Sequence, residues 1–210
     1  MNKGGASMKA TVKRREATLA AVGLTATLLV WLSLSCAQER RPDVIFVPTP
    51  QPVVDRMLEL AKVTKNDVVY DLGCGDGRIV VTAAKKYGCR GVGVDIDPQR
   101  IKDSLENVKK NEVGDLVTIV QEDIFKLDLS KGIEGKAPPP TVVTLYLLTS
   151  LNEKLVPQLQ KMKPGTRVVS HSFEIPGYEP DKVEHVNADG FERTIYLYTI
   201  PLKPKSKSNN

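Results

Sequence analysis

One glycine-rich stretch constrains the fold of this chain more than any other feature. A short apolar run at 68–72 contains Asp71, three glycines alternate with other residues over 73–77, and a helical pattern begins at Arg78. Glycine is required where the backbone φ is positive or where a ligand lies against the main chain. The unpaired N–H groups of the new helix and the positive end of its dipole face the same space. The stretch therefore predicts a strand, a tight turn and a helix that bind a polar ligand at one edge of a sheet.

The glycine spacing and the preceding acid distinguish between two classes of ligand. The dinucleotide fingerprint is G-x-G-x-x-G, and it places a pyrophosphate at the helix N-terminus. Here the spacing is G-x-G-x-G, and Asp71 lies two residues before the first glycine. A carboxylate at that place would repel phosphates, whereas it suits a ligand that carries an ammonium group. S-adenosyl-L-methionine (SAM) carries an ammonium and a sulfonium and no phosphate.

Residues 71–77 resemble motif I, D-x-G-x-G-x-G, of class I SAM-dependent methyltransferases. The alternatives are a nucleotide-dependent oxidoreductase and a glycine-rich turn without a ligand, because a lone glycine motif carries a real false-positive risk. The predicted cofactor-binding residues of this stretch are Asp71, Gly73, Cys74, Gly75 and Gly77.

Two later strand ends add candidate contacts for the cofactor. The segment 90–95 has the pattern of a strand and ends in Asp95, about 20 residues beyond the glycine loop, where an acid binds ribose hydroxyls. A third strand at 117–120 is followed by Asp123, which can accept from the adenine amino group, and Ile124, which can pack on the ring. Each acid also has a simpler interpretation: Asp95 as a solvated carboxylate at a strand end, and Asp123 as a turn residue. The predicted contacts are Asp95, Ile96, Asp123 and Ile124.

The order of the segments predicts the fold. Strands and helices alternate from 68 to 171, which indicates a parallel, doubly wound sheet. Residues 141–148 are too apolar for an edge and are predicted to form a buried central strand. Two segments near the C-terminus, 183–186 and 194–199, have the pattern of antiparallel strands. The predicted fold class is α/β: a Rossmann-like class I methyltransferase with a seven-stranded, mostly parallel sheet and helices on both faces.

The N-terminal region differs in composition from the rest of the chain. Residues 1–15 carry five basic residues and no acid, and the 22 residues 17–38 carry no charge. This pattern fits a signal peptide cut after Ala37, and the apolar run is also long enough for a transmembrane anchor. An organelle-targeting leader is a third interpretation. The positive-inside rule places the domain across the membrane from the cytosol, where SAM is made, so the side of the membrane stays open.

Charge is concentrated at the two ends of the chain. The net charge is +5 over 1–42 and +3 over 203–210, whereas 43–202 has 20 basic and 23 acidic residues. The domain therefore lacks the basic surface typical of nucleic-acid binding, and no nucleic-acid partner is expected. The expected division is a signal peptide or membrane anchor at 1–37, a linker at 38–43, the SAM-dependent methyltransferase domain at 44–202 and a disordered basic tail at 203–210.

Cysteine positions indicate neither a disulfide nor a metal site. A helix of about ten residues, about 15 Å long, separates Cys74 from Cys89. That length exceeds the limit of about 7 Å between the Cα atoms of a disulfide. Both are predicted to be free thiols, and no pair among the three cysteines has metal-ligand spacing.

The end of the fourth strand is predicted to face the transferred methyl group. Methyl transfer from a sulfonium is an in-line displacement in which positioning dominates. Methyltransferases that act on amides or base amino groups often carry N/D-P-P-Y/F there, whereas this chain has Leu-Tyr-Leu-Leu at 145–148. An apolar, aromatic channel suits the stem of a lysine and its free amine. Tyr146 and Leu147 are therefore the candidate catalytic residues, and Tyr146 is also a candidate cofactor contact.

Four segments, 46–50, 71–77, 142–149 and 164–171, together resemble one family. This family comprises broad-specificity archaeal protein-lysine methyltransferases and the mitochondrial enzymes that methylate lysine in the ATP synthase c subunit and in an adenine nucleotide carrier. The resemblance implies SAM as the cofactor and a protein that presents lysine as the substrate. Methylation of a small molecule or lipid, and a membrane-tethered SAM-binding module without turnover, are the alternatives. A monomer is expected.

The same resemblance implies that the Val-Pro-Thr segment folds over SAM, which makes Pro48 and Thr49 candidate cofactor contacts. From the residues alone, Thr49 would instead cap a helix that starts near Pro50. Asp95 departs from the family, which more often has glutamate at this position. The leader departs from the archaeal pattern, although the mitochondrial members carry a membrane segment.

Overall fold

The computed structural model of the protein describes residues 46–206. The predictions for the leader, for the linker and for residues 207–210 concern parts of the chain outside this range. The helices in the described range are α1 (Gln51–Leu60), α2 (Arg78–Tyr87), α3 (Pro98–Lys110) and α4 (Thr149–Leu159). The strands are β1 (Val68–Leu72), β2 (Arg90–Asp95), β3 (Val117–Gln121), β4 (Val142–Leu145), β5 (Arg167–His171), β6 (Tyr178–Glu179), β7 (Lys182–Ala188), β8 (Phe191–Thr199) and β9 (Lys203–Pro204).

The main sheet has seven strands in the order β3-β2-β1-β4-β5-β8-β7. Strands β1 to β5 are parallel, and β8 is antiparallel to both of its neighbours, β5 and β7. The predicted Rossmann-like methyltransferase sheet is therefore confirmed. Because the carboxyl ends of parallel strands share one edge, the loops that follow β1 to β5 meet there.

The central strands are buried on both faces. In β1, Tyr70 and Leu72 pack in a cluster with Leu155 of α4, whereas Val69 between them packs in a second cluster with Met57 of α1. Successive side chains of a strand point to opposite faces of the sheet. Helices on both faces thus explain why the strand is apolar at consecutive positions rather than at alternate ones.

The fourth strand is shorter than predicted. It ends at Leu145 and α4 begins at Thr149, with Leu148 as the N-cap residue. Register explains the end, because Leu145 pairs with Leu72 of β1 and with Ser170 of β5, and no later residue is paired. Tyr146 and Leu147 therefore lie in a loop at the carboxyl edge and not in the strand.

The two helix starts near the site are capped differently. The cap that the residues alone predict at Thr49 is not formed: the N-cap of α1 is Pro50, and no side chain bonds to the free N–H groups there. Thr49 lies one residue before the cap, and its hydroxyl is hydrogen-bonded to His171, 3.3 Å away. At α3 the Asp97 side chain caps the helix by accepting from the N–H of Gln99.

The beginning of the polar tail is ordered. Lys203–Pro204 pairs antiparallel with Tyr178–Glu179, and the Lys203 ammonium lies 2.6 Å from a carboxylate oxygen of Asp181. The prediction of disorder from residue 203 is therefore wrong for β9, because these contacts hold it against the domain. Across residues 46–206, no helix has the length and apolar character needed to cross a membrane.

Candidate active site

The loop between β1 and α2 has the conformation that its glycines predict. Gly73, Gly75 and Gly77 have φ of 82°, 54° and 73°. The N–H groups of Gly73 and Cys74 both donate to the carbonyl of Val94 in β2, at 2.8 and 3.0 Å. A Cβ at Gly73 would lie 3.1 Å from Cδ2 of Leu147. Glycine at 73 therefore keeps open the space between the loop and the end of β4.

Asp95 holds this loop from the neighbouring strand. One carboxylate oxygen accepts from the N–H of Gly75 at 2.9 Å, and the other accepts from the N–H of Asp97 at 3.0 Å. The side chain is buried at the end of β2. Since each carboxylate oxygen can accept more than one hydrogen bond, Asp95 can still bind ligand hydroxyls while it holds the loop.

Asp71 is a buried acid at the end of β1 and close to the glycine loop. The hydroxyl of Thr144, its partner in the register of β4, donates to the carboxylate at 2.8 Å. Burial, together with the charges of Asp95 and Asp76, raises the pKa of Asp71 to about 7 against the effect of this hydrogen bond. A cationic group of a ligand would favour the ionised form of Asp71.

The residues before α1 lie over the glycine loop, and we call residues 46–49 the covering segment. The Phe46 ring occupies the space that a Cβ at Gly75 would fill. The centroid of the same ring lies 4.8 Å from the guanidinium of Arg100. Arg78 donates to the Thr49 carbonyl at 2.9 Å. The covering segment is therefore attached to both α2 and α3.

The loop after β3 forms another wall. The Asp123 carboxylate accepts from the N–H of Phe125 at 3.0 Å, as a turn residue does, and the side chain is also buried. Asp123 and Ile124 both line the cavity. Asp123 can therefore act as a turn residue and still face the cavity as a candidate adenine contact, so the two interpretations from the sequence are compatible.

The wall of the cavity formed by the loop after β4 contains the aromatic side chain of Tyr146. The Tyr146 ring stacks on His171 with a centroid distance of 4.0 Å and an interplanar angle of 30°, and the Phe173 ring lies 6.1 Å from Tyr146. Burial lowers the pKa of His171 to about 4, and the charge of Arg193 contributes to the decrease. His171 is therefore neutral at physiological pH.

One cavity brings most of the predicted site residues together. The predicted residues in its lining are Pro48, Thr49, Asp71, Gly73, Cys74, Asp95, Ile96, Asp123, Ile124, Tyr146 and Leu147. Gly75 and Gly77 are not in the lining. Gly75 lies under Phe46, and a Cβ at Gly77 would lie 2.9 Å from Cβ of Ser104 in α3, so these two glycines permit close packing.

The cavity also contains residues that the sequence interpretation missed. They include Phe46, Arg78, Arg100, Glu122 and Phe125. Arg78 could have been predicted as a site residue because it directly follows the last glycine of the loop. Phe46 belongs to the segment 46–50, which the family resemblance had already marked. Arg100 had no local signal, because its place near Phe46 depends on how α3 packs.

Cys74 and Cys89 are both free thiols, as predicted, and both are buried. Within residues 46–206, no group of three His, Cys, Asp or Glu side chains could hold a metal ion. The groups that the cavity offers for chemistry are the buried carboxyl of Asp71, the backbone groups of the glycine loop and the aromatic ring of Tyr146.

Comparison with known proteins identifies the family. Residues 71–182 match the ANTKMT methyltransferase domain. A protein-lysine N-methyltransferase from Saccharolobus islandicus is 50% identical over 161 residues, which covers 76% of this chain and 95% of that protein. The human lysine N-methyltransferase of the ATP synthase c subunit is 26% identical, and the match covers 86% of this chain and 70% of that protein.

A solved structure agrees with the fold. The crystal structure of an RNA methyltransferase from Salinibacter ruber in complex with S-adenosyl-L-homocysteine is 48% identical, with a TM-score of 0.65. The match covers 78% of this chain and 98% of that one. The resemblance of the four sequence segments to one family is thus confirmed, and this chain belongs to the ANTKMT methyltransferase family.

Proposed function

We propose that this protein is a SAM-dependent methyltransferase that transfers methyl groups to the ε-amino group of lysine in proteins. The observation that carries the proposal is the shared cavity. Its lining includes Asp71 and the glycine loop, which suit a cationic cofactor, and also Tyr146 and Leu147, which follow β4. A cofactor bound at the glycine loop and an acceptor bound beside Tyr146 would meet inside it.

The residues present fit SAM. Asp71 is a buried carboxyl with a raised pKa, so an ammonium group beside it would relieve the cost of ionisation. The Asp95 carboxylate, which accepts from the N–H of Gly75, is the acid that would accept from the ribose hydroxyls. Asp123 and Ile124 would contact adenine, and Gly73 leaves room for a ligand next to Leu147.

When bound, SAM supplies a methyl group on a sulfonium that a lone pair can displace in line. The task of the protein is to position the acceptor, and Tyr146 with Leu147 would line its path. Lysine must arrive without its proton. A neutral His171 behind Tyr146 adds no positive charge that would repel the lysine ammonium before it loses its proton.

The names of similar proteins point to two acceptors, since the Saccharolobus relative is a protein-lysine methyltransferase and the Salinibacter structure is described as an RNA methyltransferase. Three features of this chain favour lysine. Residues 43–202 have more acidic than basic residues, and the end of β4 lacks N/D-P-P-Y/F. The apolar loop there also has Leu148 exposed to 46%, beside the cavity, where it can contact a protein.

Incubation with radiolabelled SAM tests the acceptor. The purified protein is given host protein, host protein whose lysines have been acetylated, and host RNA in separate reactions. We expect label in the first alone, with Asp71→Ala as the control that loses cofactor binding. Label in RNA alone, or in a lipid-soluble product, would overturn the lysine assignment. Calorimetric binding of NAD without binding of SAM would overturn the cofactor assignment.

We further propose that the leader attaches a monomeric protein to a membrane. This rests on the 22 uncharged residues 17–38, which follow a basic segment. Fractionation of host cells should recover the full chain with membranes, and a variant without residues 1–37 in the soluble fraction. A soluble full chain would contradict the proposal. Sedimentation of the soluble variant tests the expected monomer.

A further inference from the structure

The two histidines of the chain have contrasting surroundings. His171 ends β5 and is fully buried, whereas His185 lies on β7 with 55% of its side chain exposed. The His185 ring contacts Thr194 and Glu192 at the surface. A fully buried imidazole loses its hydrogen bonds to water, which costs free energy unless contacts within the protein compensate. We therefore consider which contacts His171 makes.

His171 makes two contacts that join different walls of the cavity. Its Nδ1 is hydrogen-bonded to the hydroxyl of Thr49 in the covering segment, 3.3 Å away. The ring stacks on Tyr146, with 4.0 Å between centroids. The Thr49 carbonyl also accepts from Arg78, which in turn is paired with Asp76 of the glycine loop. A continuous set of contacts therefore links the glycine loop to Tyr146.

The stacked geometry restricts Tyr146 more than ordinary packing would. Tyr146 lies in a loop, so its backbone is not held by strand pairing beyond Leu145. A flat ring stacked on a second flat ring, here with 30° between the planes, has few orientations that keep the contact. Tyr146 is half-buried on the cavity side, and His171 supplies the surface behind it.

We propose that His171 is a positioning residue that fixes the orientation of the Tyr146 ring, and that Thr49 sets the place of the imidazole. The proposal rests on the proposed function, because it assigns Tyr146 to the acceptor side of the site. His171 does not line the cavity whereas Tyr146 does, so His171 acts through Tyr146. The planar ring is its essential property, and the hydrogen bond to Thr49 is secondary.

A double-mutant cycle of His171→Ala and Tyr146→Ala tests the coupling. In the wild-type background, His171→Ala should lower kcat about tenfold, a size typical of coupled neighbours, with SAM affinity by calorimetry changed less than about threefold. In the Tyr146→Ala background, the same change should lower kcat less than about twofold, because the ring that it positions is absent. Equal losses in both backgrounds would overturn the proposal.

Two further variants separate stacking from packing. His171→Phe keeps a flat ring and loses the bond to Thr49, whereas His171→Asn keeps a polar partner for Thr49 and loses the ring. We expect His171→Phe to retain kcat within about threefold of wild type and His171→Asn to behave like His171→Ala. Equal losses in all three, or the reverse order, would contradict a positioning role. His185→Ala is the matched control and should leave kcat unchanged.

The result is distinct from that of the acceptor test. The cycle is measured with whichever acceptor the wild-type protein methylates, so RNA labelling would end the lysine assignment and leave the cycle valid. Thermal unfolding of every variant shows whether a low kcat reflects loss of the folded protein. A His171→Ala protein that melts normally, turns over normally and binds SAM normally would overturn the proposal.

Discussion

The carboxylate of Asp95 accepts a hydrogen bond from the N–H of Gly75 over 2.9 Å, and its second oxygen accepts from Asp97. The acid that the sequence assigned to the cofactor therefore also fixes the loop that forms the site. Loss of this side chain would release the loop even in the absence of any ligand. The two roles are separable by experiment.

Asp95→Ala should weaken SAM binding about tenfold or more and also lower the free energy of unfolding, because the N–H of Gly75 loses its partner. Calorimetry and thermal unfolding measure the two effects. Asp115→Ala, at an exposed position after α3, is the matched control and should change neither. Weaker binding with unchanged unfolding would assign Asp95 to the ligand alone.

The affinity for SAM should depend on pH through Asp71. Its pKa of about 7 in the free protein means that the acid carries a proton below pH 7, and the ammonium of a ligand needs the ionised form. Affinity should therefore rise about tenfold per pH unit from 5.5 towards 7 and then level off. Titrations over this range should show the slope in wild type and none in Asp71→Asn. A flat wild-type profile would show that Asp71 does not meet the ammonium.

Asp71 should also limit the stability of the protein without ligand. Its pKa is raised from 3.8 in the unfolded chain to about 7 in the fold, because burial disfavours the charge. Such a group contributes stability that is complete below pH 3.8 and is lost as pH rises through 7. Asp71→Asn, which can still accept from Thr144, should therefore raise the melting temperature more at pH 8 than at pH 5. An equal change at both values would argue against the raised pKa.

Gly75→Ala should be destabilising for two separable reasons. The left-handed φ of 54° costs about 1–2 kcal/mol for a residue with a Cβ, and the added atom overlaps the Phe46 ring. Phe46→Ala in the Gly75→Ala background should recover the second cost and not the first. Gly114→Ala, where nothing lies within 4 Å of the added atom, is the control. Denaturant unfolding gives the free energy of unfolding of these three variants and of the wild-type protein.

Tyr146→Ala should lower kcat about tenfold or more and leave SAM affinity nearly unchanged, because we propose that its ring lines the path of the acceptor. Tyr146→Phe keeps the ring that stacks on His171 and should retain most of the turnover. Initial rates together with calorimetry make the comparison. A large loss of SAM affinity would move Tyr146 to the cofactor side of the cavity.

The fold and the conformation of the glycine loop could be predicted because their signals are local. The glycines at 73, 75 and 77 all adopt the positive φ that their spacing implies, and the alternation of strands and helices predicted the parallel sheet. Asp95 was found from its distance along the chain to the glycine loop. Its bond to the loop was not found, because a strand-end carboxylate has the same sequence signal whether it faces solvent or a backbone N–H.

The acceptor side was predicted less well because it depends on contacts between distant parts of the chain. The apolar pattern of 141–148 continues past the last paired residue, Leu145, so pattern alone could not locate the end of β4. The type of residue and its place before a helix predict that Thr49 caps α1. In the structure Pro50 is the N-cap, and the Thr49 hydroxyl is hydrogen-bonded to His171. Packing of β5 against the covering segment decides that contact, and no short stretch of sequence encodes it.

The hydrogen bond between Thr49 and His171 joins residues that are 122 positions apart. During synthesis, the covering segment leaves the ribosome long before β5 exists, so its partner is missing while the first four strands form. A chain that stops before residue 171 can contain the whole glycine loop and still lack a closed cavity. The segment from residue 171 onwards is therefore a condition for a competent site, and incomplete products should bind ligand poorly even when their first half is intact.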